Sequence, residues 1–374
     1  MLDDEGKVLF NIHSWWRRQA KPARSAVAGA AIGPARDLTV IVPAYNEANS
    51  LRDTVVSLQS QTMPPAEIIV VDDCSTDETN AVAQALGVTV LRPLRNTGSK
   101  AGAQNFALPH VRTERVMAVD ADTTLAPDAI ERLDAAFVDD AIVAACGFVL
   151  PRHVRTVWER GRYIEYLFAF TFYKQVQDYY EKPLISSGCF SMYRTRALRG
   201  QGGWNTRTLA EDMDLTWSFY CAGHGVRFVP EAVCYPIEPA SFTLMRTQLR
   251  RWSHGFVQNV ALHWRRVIQV PYLRSAVAVA TWDALIASTV YLFLVPALAI
   301  VLKNPWFLLG YIIDVPALLV PIVIGAAKRG ELLRALVSFP AFLVLRTVNA
   351  LFFLEAVWTE WVRRRPFLVY EKGH

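Results

Sequence analysis

LTVIVPAYNE, residues 38–47, is the stretch from which the rest of the chain is read. Its first six residues are apolar and rich in β-branched side chains, the pattern of a short strand buried on both faces. A helical pattern follows over residues 47–61, and EIIVVDD at 67–73 repeats the strand and ends in two carboxylates. A helix over 77–86, a strand VTVLRP at 88–93, a helix over 100–108 and a strand ERVMAVDAD at 114–122 complete the series. Strands separated by helices predict an α/β fold, a mostly parallel sheet with helices on both faces. Ligands bind such sheets beyond the carboxyl ends of the strands. Residues 43–47, Asp72 with Asp73, and Asp120 with Asp122 all fall at those ends. The chain holds no GxGxxG or GxxxxGK[ST] loop, which argues against a dinucleotide dehydrogenase and a P-loop ATPase.

The 374 residues carry 39 Lys+Arg against 34 Asp+Glu, a net charge of +5, and are 52% hydrophobic and only 20% charged. Mean hydropathy is +0.19. Soluble domains carry about 25% charged residues, so this chain has an apolar excess, and disorder is excluded. The 19 glycines and 20 prolines are too few for a collagen-like or low-complexity chain. Five cysteines (Cys74, Cys146, Cys189, Cys221, Cys234) form no CxxC pair, which disfavours a disulfide framework or zinc site and suits a reducing compartment.

The excess lies near the carboxyl end. Residues 284–302 contain no charge, and runs at 305–327 and 335–358 are nearly as apolar. A bilayer core needs about 20 apolar residues as helix, so about three transmembrane or re-entrant helices are expected, the first starting near Ala276 with Asp283 at its boundary. Asp314, Arg346, Asn349 and Glu355 lie inside the later runs and should face protein or a polar cavity. The start MLDDEGKVLF is acidic, unlike a signal peptide. Residues 8–18 suit either a membrane surface or a solvated helix, and 19–36 read as a linker. The organisation is therefore an amino-terminal segment (1–37), an α/β domain (38–240), interfacial amphipathic helices (241–275), membrane helices (276–362) and a basic tail (363–374).

Asp120 and Asp122 are spaced i, i+2 and point to one side of an extended chain. Such a pair suits a hard divalent cation that keeps waters and takes phosphate oxygens; a turn or helix cap is the plain alternative. Glu211, Asp212 and Asp214 open a helix, where the dipole favours acids in any case. Gln248, Arg251 and Trp252 lie in MRTQLRRWSHGF, a basic amphipathic stretch that alone reads as a membrane-surface helix.

Taken together, TVIVPAYNE (39–47), IIVVDDCSTDET (68–79), RNTGSKAGAQN (95–105), VDADT (119–123), SSGCFSMYRTRAL (186–198), GGWNTRTLAEDMDLTW (202–217) and QLRRW (248–252) resemble the inverting, membrane-bound family 2 glycosyltransferases of GT-A fold. The chain is most similar to the processive group that makes hyaluronan, chitin, cellulose and poly-N-acetylglucosamine. The resemblance implies transfer of a hexosyl unit from a nucleotide sugar, most often a UDP-sugar, to a growing β-linked polysaccharide. Placing one sugar on a membrane lipid is the alternative. It implies that Tyr45 and Glu47, with Asp73 or Asp72, hold the nucleoside, and that Lys100 lies near the phosphates. Asp120 would line the nucleotide and, with Asp122, bind Mg²⁺ or Mn²⁺. Asp212, beside Glu211, would be the general base, Arg251 would meet the diphosphate, Gln248 would orient its helix, and Trp252 would stack on the acceptor. Ser187 and Gly188 would form an acceptor-side loop. Cys74 stands where the family more often has Gly, a change of little expected consequence.

No nucleic-acid partner is expected. The expected place is the plasma membrane, multi-pass, with the catalytic domain cytosolic, where nucleotide sugars are. Arg250, Arg251, Arg265, Arg266 and Arg274 before the first run, and Lys328, Arg329 and Arg334 after the second, agree with that orientation. Arg363, Arg364 and Arg365 after the third run conflict with it unless that run is broken or re-entrant. Since no amino-terminal membrane helix is read, a second copy or another protein would complete a channel for a long polymer. A non-catalytic transferase-like partner would leave Asp122, Asp212 and Arg251 without a purpose. The aromatic stretch at 162–180 reads as core, as an interfacial helix or as lining for an acceptor path. Trp204, Trp217 and His224 read as packing residues.

Overall fold

Val40, Ile41 and Val42 are wholly buried, which places the first strand in the middle of the sheet and explains its unbroken apolar run. The computed structural model describes residues 35–365 and Phe367; the amino-terminal segment and most of the basic tail lie outside them. In order come β1 (Ala35–Ala44), α1 (Leu51–Gln59), β2 (Pro65–Asp72), α2 (Thr79–Ala85), β3 (Thr89–Leu91), α3 (Lys100–Ala107), β4 (Arg115–Val119), β5 (Thr124–Leu125), α4 (Ala129–Asp134), β6 (Ile142–Val149), α5 (Val157–Phe168), α6 (Lys174–Tyr179), β7 (Phe190–Arg194), α7 (Thr195–Gly200), α8 (Glu211–Cys221) and β8 (Gly225–Tyr235). Then follow α9 (Phe242–Val267), α10 (Leu273–Thr289), α11 (Val295–Val301), α12 (Val315–Lys328) and α13 (Leu332–Val357).

The eight strands form one sheet in the order β3-β2-β1-β4-β7-β6-β8-β5. β3, β2, β1 and β4 are parallel, as the alternation of strands and helices predicts. The sheet is nonetheless mixed, because β7 enters between β4 and β6 antiparallel to both. An antiparallel neighbour needs no crossover helix, so β7 carries none of the periodic signal that exposes the first four strands. β7 arrives directly from residues 186–189, and this places Ser187 and Gly188 beside the end of β4, where the Asp120 amide donates to the Cys189 carbonyl (3.3 Å).

Three stretches are long and apolar enough to cross a membrane: Leu273–Val301, Pro305–Lys328 and Leu332–Val362. The first begins slightly before the expected Ala276. The third is one continuous helix of 26 residues through Pro340, passing into a π turn at Trp358–Val362, so the break that would have explained the basic tail is absent. The charges Asp314, Arg346 and Glu355 of the second and third runs meet protein partners, as their cost in lipid requires. Arg346 of the third span bonds Asp314 of the second (2.7 Å) and the Tyr291 hydroxyl of the first (2.9 Å). Glu355 takes Arg250 of α9 at 2.6 Å.

The α/β domain sits on the spans through α5 and α9. Gly161 of α5 lets the helix approach the third span so closely that a Cβ there would lie 2.9 Å from the Leu345 Cβ and 3.0 Å from the Ala341 carbonyl. The Asn349 amide of that span donates to Glu165 of α5 (3.1 Å), and the Tyr163 hydroxyl donates to Glu331 (2.9 Å).

Candidate active site

The carboxyl ends of β1, β2 and β4 open into a cavity of about 690 Å³. One wall holds Tyr45, Glu47, Asp73, Lys100, Asp120 and Asp122; the other holds Ser187, Gly188, Glu211, Asp212, Gln248, Arg251 and Trp252. Every residue expected to hold nucleotide, metal or acceptor or to act as base, except Asp72, therefore borders one space.

Asp72 is wholly buried beneath the neighbouring loop. Its carboxylate accepts from the Ser75 amide (2.9 Å), Asn80 (2.9 Å) and Arg92 (2.5 Å). It braces the turn after β2 and does not line the cavity. Adjacent residues at a strand end point to opposite faces, so only Asp73 reaches the cavity side. The Thr97 amide and hydroxyl both donate to Asp73 (2.8 Å each), pinning the loop that leads into α3. Cys74 has φ +64°. This left-handed conformation costs a side-chain-bearing residue about 1–2 kcal/mol relative to glycine, so the replacement of the commoner glycine does carry backbone strain.

Glu47 is held by its amide donating to Thr79 (2.7 Å) and by the Ser50 hydroxyl donating to its carboxylate (2.6 Å). Lys100, in the first turn of α3, pairs with Asp120 and donates to the Gly188 carbonyl (3.0 Å), so one ammonium ties the two walls together. Asp122 is 5% exposed. Its carboxylate accepts from Thr123 (3.1 Å) and its carbonyl accepts from Arg152 (3.0 Å). Among the described residues no group of three or more His, Cys, Asp or Glu side chains converges. Asp120, which pairs with Lys100, and Asp122 could meet a hard cation only as one that keeps waters and takes phosphate oxygens, not in a dedicated protein cage.

Asp212, in the first turn of α8, lines the same cavity as this pair. Its carboxylate accepts from the Gly188 amide and the Met213 amide, 2.8 Å each. A Cβ at Gly188 would lie 2.9 Å from Asp212 Oδ2 and 3.3 Å from Lys100 Nζ. Glycine there makes room for the Asp212 carboxylate. Burial pushes the Asp212 carboxyl above its ordinary value against the pull of Lys100 and its amide donors. Burial also raises Glu211, and the Asp212 charge raises it further. Asp214, two residues on, points away from the cavity into a buried cluster. It accepts from both Arg207 nitrogens (2.7 Å each) and meets His263 Nε2 of α9 at 2.7 Å.

Gln248, Arg251, Trp252 and Phe256 fall on one face of α9 by their i, i+3, i+4, i+8 spacing, and that face is the cavity wall. His254 is on another face, buried against Glu360 (2.8 Å). Trp204 and Trp217 are buried packing residues, as expected, and His224 packs its ring on Phe219 at 6.3 Å. The aromatic stretch divides: Tyr166 and Phe170 line the cavity, while Tyr163 reaches the spans. Sequence reasoning missed Arg162, Glu165 and Glu238. The signal available was RYIEYLF, where Arg162, Glu165 and Tyr166 share a helical face.

Residues 39–201 match the family profile described as Glycosyl transferase family 2. Among curated proteins, a poly-β-1,6-N-acetyl-D-glucosamine synthase of Staphylococcus aureus (strain MSSA476) is 23% identical over 252 residues, covering 66% of this chain and 61% of the relative. The Staphylococcus epidermidis synthase of the same name is 26% identical over 222 residues, 58% of this chain and 54% of the relative. The chain thus spans about 61% of the length of the first of these relatives. Among solved structures, a mannosyltransferase from Pyrobaculum calidifontis in complex with GDP-Man and Mn²⁺ aligns with TM-score 0.57 at 22% identity, over 94% of this chain and 95% of that one. At that identity the likeness speaks for the fold.

Proposed function

We propose that this chain, whose residues 39–201 form a glycosyl transferase family 2 domain, is an inverting hexosyltransferase. It moves a sugar from a UDP-sugar to a growing β-linked polysaccharide at the membrane, with its catalytic domain in the cytosol. The observation that carries the reading is that Asp212, Asp120, Asp122, Lys100 and Arg251 all line one cavity. The similarity to poly-β-1,6-N-acetylglucosamine synthases supports a polymer product.

Tyr45, Glu47 and Asp73 hold the nucleoside end, and Lys100 and Arg251 hold the diphosphate, Arg251 through a planar fork of donors. The Asp120–Asp122 pair holds Mg²⁺ or Mn²⁺, which when bound neutralises charge on the departing diphosphate. Asp212 takes the proton of the acceptor hydroxyl as that oxygen attacks the anomeric carbon from the face opposite the leaving group. A sugar hydroxyl is nucleophilic only while its proton is being removed, and the raised Asp212 carboxyl is the stronger base for it. Transfer in a single displacement turns an α-linked donor into a β-linked product. Trp252, 38% exposed at the cavity wall, offers a ring face to the acceptor sugar.

One observation favours a second reading, transfer of a single sugar to a membrane lipid. Glu165 lines the cavity and bonds Asn349 of the third span, so the cavity floor adjoins the membrane helices. A screen of labelled UDP-sugars with membranes containing the full chain separates the two. A glycosidase-sensitive product of high molecular weight is expected; an organic-soluble product would establish the lipid reading, and no transfer from any donor would remove both. Asp122→Ala is expected to abolish the part of UDP affinity that depends on Mn²⁺, read by calorimetry with and without the ion. Equal affinity of variant and wild type in Mn²⁺ would remove Asp122 from the metal site.

A further inference from the structure

At the membrane-side end of the cavity a single arginine is enclosed by the residues that border the acceptor. Arg162 of α5 is 0% exposed. Its guanidinium pairs with Glu165, faces Glu238 at 3.4 Å and donates to Gln248 Oε1 at 2.7 Å. It also lies over the Trp252 ring, 4.4 Å from the centroid. Glu238 is tied in from the other side by the Tyr166 hydroxyl (2.8 Å). We propose that Arg162 is the positioning residue of the acceptor side, holding Gln248 and Trp252 of α9 in the register that acceptor binding needs. The proposal rests on the glycosyltransferase reading above.

The physical case starts from cost. A buried cation persists only where partners satisfy it, and a planar guanidinium is the group that can donate in its plane while stacking through its face. Arg162 does both at once. Its two terminal nitrogens donate to Glu165 and Gln248, its Nε faces Glu238 at 3.4 Å as an ion pair without a hydrogen bond, and its face lies on Trp252. One face of Trp252 is therefore occupied by the protein and the ring is fixed in orientation, so a sugar can stack only on the other face. Gln248 is held the same way, with Oε1 on Arg162 and its amide donating to Glu238 at 3.4 Å. Gln248 thus serves as a link in this network, a more local part than orienting the whole helix. Since Glu165 also accepts from Asn349, the same network joins the third span to the acceptor wall. The contacts named run to Glu165, Glu238, Gln248 and Trp252 and not to Tyr45, Asp73 or Asp122, so Arg162 adjoins the donor half only through Arg251, which shares α9 with Gln248 and Trp252.

That separation supplies the test. Arg162→Lys keeps a charge and removes the fork; Arg162→Ala leaves a guanidinium-sized space. Both are made in the full-length chain and read by three measurements: UDP affinity, UDP release from donor without acceptor, and transfer to acceptor. UDP affinity and acceptor-free release should stay within about threefold of wild type while the acceptor KM rises about ten- to a hundredfold, the scale of a displaced binding group. Methylguanidinium should restore acceptor use to Arg162→Ala, and tetramethylammonium at equal ionic strength should not. An unchanged acceptor KM in Arg162→Lys overturns the proposal. If both variants lose UDP affinity together with transfer, Arg162 serves folding, and the proposal fails equally. Failure of the glycosyltransferase reading looks different: the wild-type chain itself would release no UDP from any donor.

Discussion

Asp212→Asn lowers sugar transfer by about 10²–10⁴-fold, the usual contribution of a positioned general base, and leaves UDP affinity nearly unchanged. The replacement keeps the size of the side chain and an oxygen able to accept from the Gly188 amide, which now lies 2.8 Å from Asp212 Oδ2, at the cost of the bond from the Met213 amide to Oδ1. Loop 186–189 and the start of α8 therefore keep their places, and Lys100 keeps its bond to the Gly188 carbonyl. What is lost is the capacity to take a proton. The pH profile supplies a second readout. The base works only when deprotonated, so transfer falls as pH falls through its native pKa. Burial raises that pKa, so the acid limb in the wild type lies above the range of an ordinary carboxylate and is absent from the residual activity of Asp212→Asn. Steady-state transfer between pH 4 and 8, with UDP affinity measured alongside, checks both statements. Wild-type transfer by the variant would displace Asp212 from the role of general base.

The four parallel strands were legible because each is a short apolar run stopped by polar residues, and because strand ends in such sheets collect ligand groups. Spacing alone placed Asp120 with Asp122 on one side of the chain, whereas Gln248, Arg251 and Trp252 were marked by the resemblance of QLRRW. Three features were not legible, for separate reasons. Asp72 and Asp73 are equivalent in sequence, and only the loop that covers Asp72 with Arg92, Asn80 and Ser75 decides which one faces the cavity. The antiparallel β7 has no crossover helix to announce it. Arg162 lies 86 residues from Gln248 in sequence, and local periodicity carries no information about a pairing at that range. The membrane runs were plain from composition, but the partners of their charges were not. Arg346, Asp314 and Tyr291 come from three different spans.

Asp214→Ala destabilises the chain by about 1–3 kcal/mol, the usual cost of leaving a buried hydrogen-bonding partner unpaired, since His263 is buried while Arg207 is half exposed. The two acids Asp212 and Asp214 share the first turn of α8 and the same helix dipole, yet their surroundings assign them opposite work. Asp212 faces a cavity and accepts from two amides; Asp214 is wholly buried and takes the Arg207 fork and His263. Burial alone would raise the Asp214 carboxyl, but Arg207 and His263 outweigh it and hold it below the ordinary carboxylate value. A group whose folded pKa is depressed contributes stability that is complete above its unfolded pKa and is lost as pH falls through the folded value. The gap between wild type and Asp214→Ala should therefore be full at pH 7 and close as pH drops below the usual carboxylate range. Because His263 belongs to α9, the loss also loosens the contact between the helix that carries Asp212 and the helix that carries Arg251 and Trp252. Transfer should fall with thermal stability, whereas in Asp212→Asn transfer falls alone. Thermal unfolding of the detergent-solubilised chain at pH 7 and pH 4, followed by tryptophan emission, reads the difference. Equal unfolding temperatures for Asp214→Ala and wild type at pH 7 would mean that the cluster does not hold the two helices together.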